Sequence, residues 1–168
     1  KLKARGVFRT IFYIPALFST IVVAFLWSYV YAPHYGMISE IFNLFGSSNA
    51  PNLLGSKATS LFAAAFVETW KTSGTMTIIY LAGLQNISEE VIESAKIDGC
   101  NGWQAIRYVK IPMLANTITV SVMLGLIGGF KSFDYIFALT KGGPGKSSAT
   151  LMYPIYKMAF VEMQYGKA

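Results

Sequence analysis

Few side chains in this chain are equipped for covalent chemistry. His34 is the only histidine and Cys100 the only cysteine. A zinc site of His and Cys is therefore nearly excluded, and a disulfide framework is excluded outright. Neither a Ser/His/Asp nor a Cys/His nucleophile set can be assembled. Gly142-Gly143-Pro144-Gly145-Lys146-Ser147 has the wrong spacing for a P-loop and follows no buried strand. What remains is charge placed among apolar residues. Glu68 and Lys71 are three apart, as are Lys131 and Asp134, and each pair shares one helical face. A charge at membrane depth costs about 2.5–3.5 kcal/mol on insertion scales, so it persists where it faces a cavity or a partner. Both pairs are candidate liners of a path through a membrane. The alternative is that each pair neutralises itself near an interface.

The elements that would hold them are read from the charge gaps. The chain has 168 residues, 54% apolar and 13% charged, with a formal charge of +6. No Lys, Arg, Asp or Glu occurs for 30 residues after Arg9, for 17 after Lys71, or for 20 after Lys110. About 20 helical residues cross a hydrocarbon core. The expected fold is all-α, a polytopic transmembrane helical bundle with spans at about 11–31, 61–84 and 113–140. The whole of 1–168 reads as a single domain. It opens on Lys1 rather than Met and reads as a fragment of a longer chain. Its basic residues are scattered and mostly flank apolar runs, which argues against a nucleic-acid partner.

Lys1, Lys3, Arg5 and Arg9 precede the first span without an acid among them, which favours the cytoplasm for that end. Alternation then puts 32–60 outside, 86–112 inside and 141–168 outside. Inner segments hold seven Lys and Arg and outer ones five, a weak bias blurred by the late lysines. The connector 32–60 is rich in turn formers, Ser48 and Asn49 among them. Met37, Ile38, Ile41, Phe42, Leu44 and Phe45 within it have rough helical spacing, for either a surface-lying amphipathic helix or a core helix. Residues 150–168 read as a short re-entrant or surface helix.

The inner segment 86–112 reads as two short helices. Ser88 stands at an N-cap position, with Glu89 and Glu90 in the first turn to suit the dipole. Gly99 ends this helix where positive φ is needed. Asn101-Gly102-Trp103-Gln104 fits a capping box, and Trp103, Ile106 and Val109 would share a face. Pro112 marks the start of the next span. Two capped helices with apolar faces look built to dock something.

These residues carry a resemblance. Glu93-Ser94-Ala95, Asp98-Gly99 and Val109-Lys110-Ile111-Pro112 resemble the EAA motif of ABC importer permeases. Arg9 to Pro15, Tyr80 to Gln85 and Leu139 to Gly145 are similar to carbohydrate-uptake permeases of the maltose-permease type, in one collinear order. Ser94, Val109 and Ile111 depart from the motif conservatively. The resemblance implies an ABC importer type I transmembrane domain in a bacterial or archaeal cytoplasmic membrane. It implies that the loop docks a cytoplasmic ABC ATPase dimer through Glu93, Ser94, Ala95, Asp98, Gly99, Trp103, Ile111 and Pro112. Glu93 would meet basic groups, Ala95 would permit close packing, and Val91, Ile92, Trp103 and Ile106 would bury against partner or membrane domain.

Aligned through Trp70 and Gly142-Gly143-Pro144, the family's sugar path falls on Glu68, Lys71, Thr72 and Thr75, and on Gly125, Gly128, Gly129 and Ser132 of the third span. Lys131 and Asp134, by their charge, and Trp70 and Phe133, by their ring faces, complete the candidate path. Hydroxyls and carboxylates would bond a sugar, and Trp70, Phe130 and Phe133 would either stack on it or pack. The glycines would leave room or let a helix approach closely. The implied partners are a second permease subunit, the ATPase, an extracytoplasmic solute-binding protein, a sugar substrate and the lipid bilayer. No cofactor is implied, since ATP belongs to the ATPase, and the chain is not itself an enzyme. A permease for a non-sugar solute and a channel are the rival readings.

Overall fold

The computed structural model describes residues 5–47 and 50–167. Lys1 and Lys3 of the basic cluster, the Arg5 side chain, and Ser48 and Asn49 of the connector lie outside that description. All regular structure among the described residues is helical. In order it comprises α1 (Arg5–Leu17), α2 (Thr20–Val30), α3 (Met37–Leu44), α4 (Ser60–Gln85), α5 (Glu89–Ile97) and α6 (Gly102–Gln104). A π-helical stretch, Ala105–Lys110, leads into α7 (Ile111–Met113), α8 (Ala115–Lys131) and α9 (Asp134–Leu139). The last is α10 (Met152–Tyr156), which runs into a second π-helical stretch, Lys157–Val161.

The run expected at 11–31 is not one helix. It is broken between α1 and α2, which meet at 98°. Pro15 supplies no amide donor, so the last turn of α1 is weakened. Phe18 N–H falls back on the Pro15 carbonyl at 3.4 Å, and Ser19 turns extended at φ −58°, ψ 142°. The run expected at 113–140 also breaks, at Ser132 (φ −62°, ψ 105°), before α9 begins. Among the described residues no single helix is long and apolar enough to cross a membrane. Two bent pairs pass that test together: Gly6–Leu17 with Thr20–Val30, and Gly102–Met113 with Ala115–Lys131, the latter bent by 66°. The 26-residue α4 has the length, but six Ser and Thr with Glu68 and Lys71 lower its hydropathy.

The helix α4 is the axle of the fold, with α1, α2, α8 and α9 packed along it. Two glycines set the closest approaches. A Cβ at Gly74 would strike the Phe12 carbonyl oxygen and lie 2.8 Å from Tyr13 Cα, so α1 crosses α4 backbone to backbone. A Cβ at Gly83 would lie 2.6 Å from Thr117 Oγ1 on α8. Small residues at such crossings are how helices gain contact without a hydrophobic driving force. The core gathers Val23, Ala24 and Tyr31 with Ala63, Val67 and Tyr135. Tyr31 Oη donates to the Ala63 carbonyl at 3.2 Å. Elsewhere large apolar side chains stand exposed, on α1 (Phe8, Ile11, Phe12), α2 (Ile21, Val22, Phe25) and α8 (Val120, Val122, Met123, Leu126, Ile127).

Candidate functional site

The segment after α4 folds into a capped helical hairpin. Ser88 occupies the N-cap of α5 in extended backbone, but its hydroxyl makes no capping bond there. At the other end the chain closes in a Schellman pattern. Gly99 N–H donates to the Lys96 carbonyl and Cys100 N–H to the Ala95 carbonyl, both at 3.0 Å. Gly99 itself sits at φ +82°, a left-handed conformation cheap only for glycine. Asn101 and Gln104 then form the full capping box, each side chain bonding the other's backbone N–H at 2.8 Å.

The π register between Ala105 and Lys110 carries Ile111 N–H to the Ile106 carbonyl, just ahead of Pro112. That shift spoils the face expected for Trp103, Ile106 and Val109: Trp103 and Ile106 are exposed and Val109 is half-buried. Ala95 and Ala105 are buried as α5 folds onto the π stretch, so Ala95 serves the hairpin's own packing. Outward, Glu93, Ser94 and Asp98 are exposed beside bare apolar groups. Ile97 is 86% exposed, Trp103 73% and Tyr108 71%. Bare aromatic side chains are common on interaction surfaces.

The second region lies between α4 and α8. A groove of about 270 Å³ is lined by Glu68, Thr72, Gly125, Gly128 and Gly129, with Ala65, Thr69, Met76 and Leu124 beside them. Five residues expected along a path from two separate spans thus meet at one groove. The added lining residues Ala65, Thr69 and Met76 share with Glu68 and Thr72 one helical face of three- and four-residue spacings, a signal the sequence carried. Glu68 Oε2 accepts a hydrogen bond from Ser132 Oγ at 2.9 Å. The Ser132 carbonyl in turn accepts from Thr150 Oγ1. These two bonds hold the break between α8 and α9. Thr72 Oγ1 bonds back to the Glu68 carbonyl at 2.8 Å.

The remaining expected path residues lie elsewhere. Thr75 and Lys71 are on α4 but off the groove, and Lys131 and Asp134 are exposed on either side of the break. Among the described residues the one ion pair is Lys157–Glu162 at 3.8 Å, so neither i, i+3 pair neutralises itself. Trp70 packs edge-on to Trp27, with centroids 5.5 Å apart, and belongs to the core. Phe133 stacks on Phe137 at 5.3 Å and lies 4.8 Å from Tyr156. Phe130 is exposed.

With this geometry in place, comparison with known proteins defines the class. The model of the family described as "Binding-protein-dependent transport system inner membrane component" matches residues 1–165. The chain belongs to that family. It is 36% identical over 151 residues to the trehalose/maltose transport system permease protein MalF of Thermococcus litoralis, covering 90% of this chain and 51% of that protein. It is 33% identical over 170 residues to the probable starch degradation products transport system permease protein AmyD of Thermoanaerobacterium thermosulfurigenes, covering 100% of this chain and 57% of the relative. Among solved structures, a bacterial ABC transporter involved in import of the acidic polysaccharide alginate superposes with a TM-score of 0.87. It is 25% identical and is matched over 98% of this chain and 58% of its own. The chain spans just over half the length of the curated relatives it matches.

Proposed function

We propose that this chain is part of a membrane-spanning permease subunit of an ATP-driven ABC importer for sugars or oligosaccharides. The bent pairs and α4 form a polytopic bundle in the cytoplasmic membrane. The row of large apolar side chains left exposed on α8 away from α4 supports this, since such a face needs lipid or protein against it. The observation that carries the reading is the hairpin from Glu89 to Met113. It is a doubly capped unit that presents Glu93, Ile97, Trp103 and Tyr108 exposed among the described residues. In this reading it seats in a cytoplasmic ATPase, which hydrolyses ATP and drives the hairpin as a lever. A second permease subunit completes the path, and an extracytoplasmic solute-binding protein delivers the substrate. The groove under Glu68 and Gly128 is the sugar path. The names of the trehalose/maltose, starch-product and alginate relatives support carbohydrate as the substrate class.

The hairpin is tested by Glu93→Ala and Gly99→Val in the full-length permease, assembled with its partners. The first removes an anionic contact. The second forces a β-branched residue to φ +82°, where space is free but backbone is not. Membrane insertion should be unchanged while uptake falls and ATP hydrolysis loses its dependence on substrate. Normal uptake with both changes would remove the hairpin from coupling.

A further inference from the structure

Three of the four late lysines that blur the charge bias converge. Lys141, Lys146 and Lys157 line one cavity of about 340 Å³ between the 141–149 loop and α10. That volume is in the range of small-ligand pockets, about 300–1,000 Å³. Lys57, from the connector, lies alongside: a Cβ at Gly145 would sit 3.4 Å from its Cε. The single carboxylate in the lining, Glu162, reaches Lys157 at 3.8 Å. Among the described residues, Lys141 and Lys146 have no carboxylate within ion-pair distance.

The loop that carries these lysines is held rigidly. Ser148 is fully buried, and its hydroxyl donates to the Gly143 carbonyl at 2.7 Å and lies 2.7 Å from Thr140 Oγ1. Ser147 Oγ lies 3.0 Å from Ser60 Oγ on α4. Lys141 at φ 50° and Lys146 at φ 81° occupy backbone that side chains rarely adopt, although glycine stands next to each. The backbone under Lys141 and Lys146 is thus fixed, and three lysines open onto one cavity, which favours an anion there. Tyr153 and Met158 give the cavity an apolar wall. On the same segment, Leu151, Phe160 and Val161 are 61–64% exposed.

We propose that this cavity binds the phosphate of an anionic phospholipid headgroup, whose acyl chains lie along the bare side of α10 and the π stretch after it. The shared chemistry with a free phosphate is the lysine cradle; the exposed apolar flank is what favours the lipid. The cavity stands on its own geometry, while the choice of a lipid as its occupant rests on the membrane reading proposed above.

The test uses the full-length permease in detergent, with thermal unfolding followed against added short-chain lipid. Dihexanoyl-phosphatidylglycerol should raise the melting temperature at concentrations where dihexanoyl-phosphatidylcholine does not. The double variant Lys141→Gly/Lys146→Gly keeps the backbone at ease while removing charge. At about fivefold per lysine near a membrane surface, it should bind the anionic lipid about 25-fold more weakly. Lys157→Gln, outside the loop, is the second variant should the first fail to fold, and it should weaken binding about fivefold. Lys96→Gln, on the hairpin, should leave it unchanged. Inorganic phosphate acting as strongly as the anionic lipid would support the cradle and assign it to a free anion. Equal shifts with both lipids, or pocket variants that bind like the parent, would overturn the site. Lipid binding in detergent is independent of ATPase coupling, so the two readings fail separately.

Discussion

Gly74→Val tests whether the crossing of α1 on α4 is held by contact between backbones. A Cβ there lies 2.8 Å from Tyr13 Cα and nearer still to the Phe12 carbonyl oxygen. Carbon pairs rest at about 3.5–4.0 Å, so α1 must retreat by about 1 Å. The obstructing atoms are main chain and cannot change rotamer. Overpacking of this kind costs about 1–3 kcal/mol, and a backbone clash with a branched side chain belongs at the upper end. The helix preference of valine over glycine returns about 0.3 kcal/mol. A net loss near 2.5 kcal/mol lowers the melting temperature by about 4 °C in a full-length chain of about 300 residues. The control is Gly125→Val on α8, where a Cβ would meet nothing within 4 Å and the change should stay within about 1 °C. The assay is thermal unfolding of the full-length permease in detergent, read by loss of the monodisperse peak. A Gly74→Val protein that melts with the parent, or a control that falls equally far, would refute the close-approach argument.

Two other substitutions probe the site. Asn101→Ala removes the side-chain acceptor for Gln104 N–H and should cost about 0.5–2 kcal/mol, seen as faster amide exchange over residues 102–110 with the bundle unaffected. Glu68→Gln keeps an acceptor for Ser132 Oγ and should preserve protein levels while changing substrate affinity. Glu68→Ala removes that acceptor and should lower both, and unchanged uptake with Glu68→Gln would take the carboxylate out of the path.

What could be read in the sequence was local. The charge gaps located α4 and the bodies of α1, α2 and α8. Gly99 and the Asn101–Gln104 pair fixed the hairpin to the residue, because capping depends on neighbours within four positions. The meeting of Glu68 and Thr72 with Gly125, Gly128 and Gly129 was reachable only through resemblance. The breaks were harder. Ser19 follows a proline that a membrane helix often tolerates, and Ser132 is pulled extended by Glu68, 64 positions away, and by Thr150. No local pattern encodes such bonds. The fates of Trp70 and Phe133 were equally non-local, since an aromatic that stacks on sugar and one that stacks on Trp27 or Phe137 look alike in a sequence. The convergence of Lys57 with Lys141, Lys146 and Lys157 was hidden for the same reason, and in the sequence it showed only as an excess of outer charge.

The most direct measurement of the central claim is the sidedness of the hairpin. Ile97→Cys, at a position 86% exposed on α5, is made in a cysteine-free background of the full-length permease, Cys100→Ser included. An impermeant maleimide is applied to intact cells and to inverted membrane vesicles stripped of the ATPase. The account predicts labelling in the inverted vesicles alone, suppressed when the ATPase is added back. Labelling of intact cells would place the hairpin on the wrong side of the membrane and contradict the account.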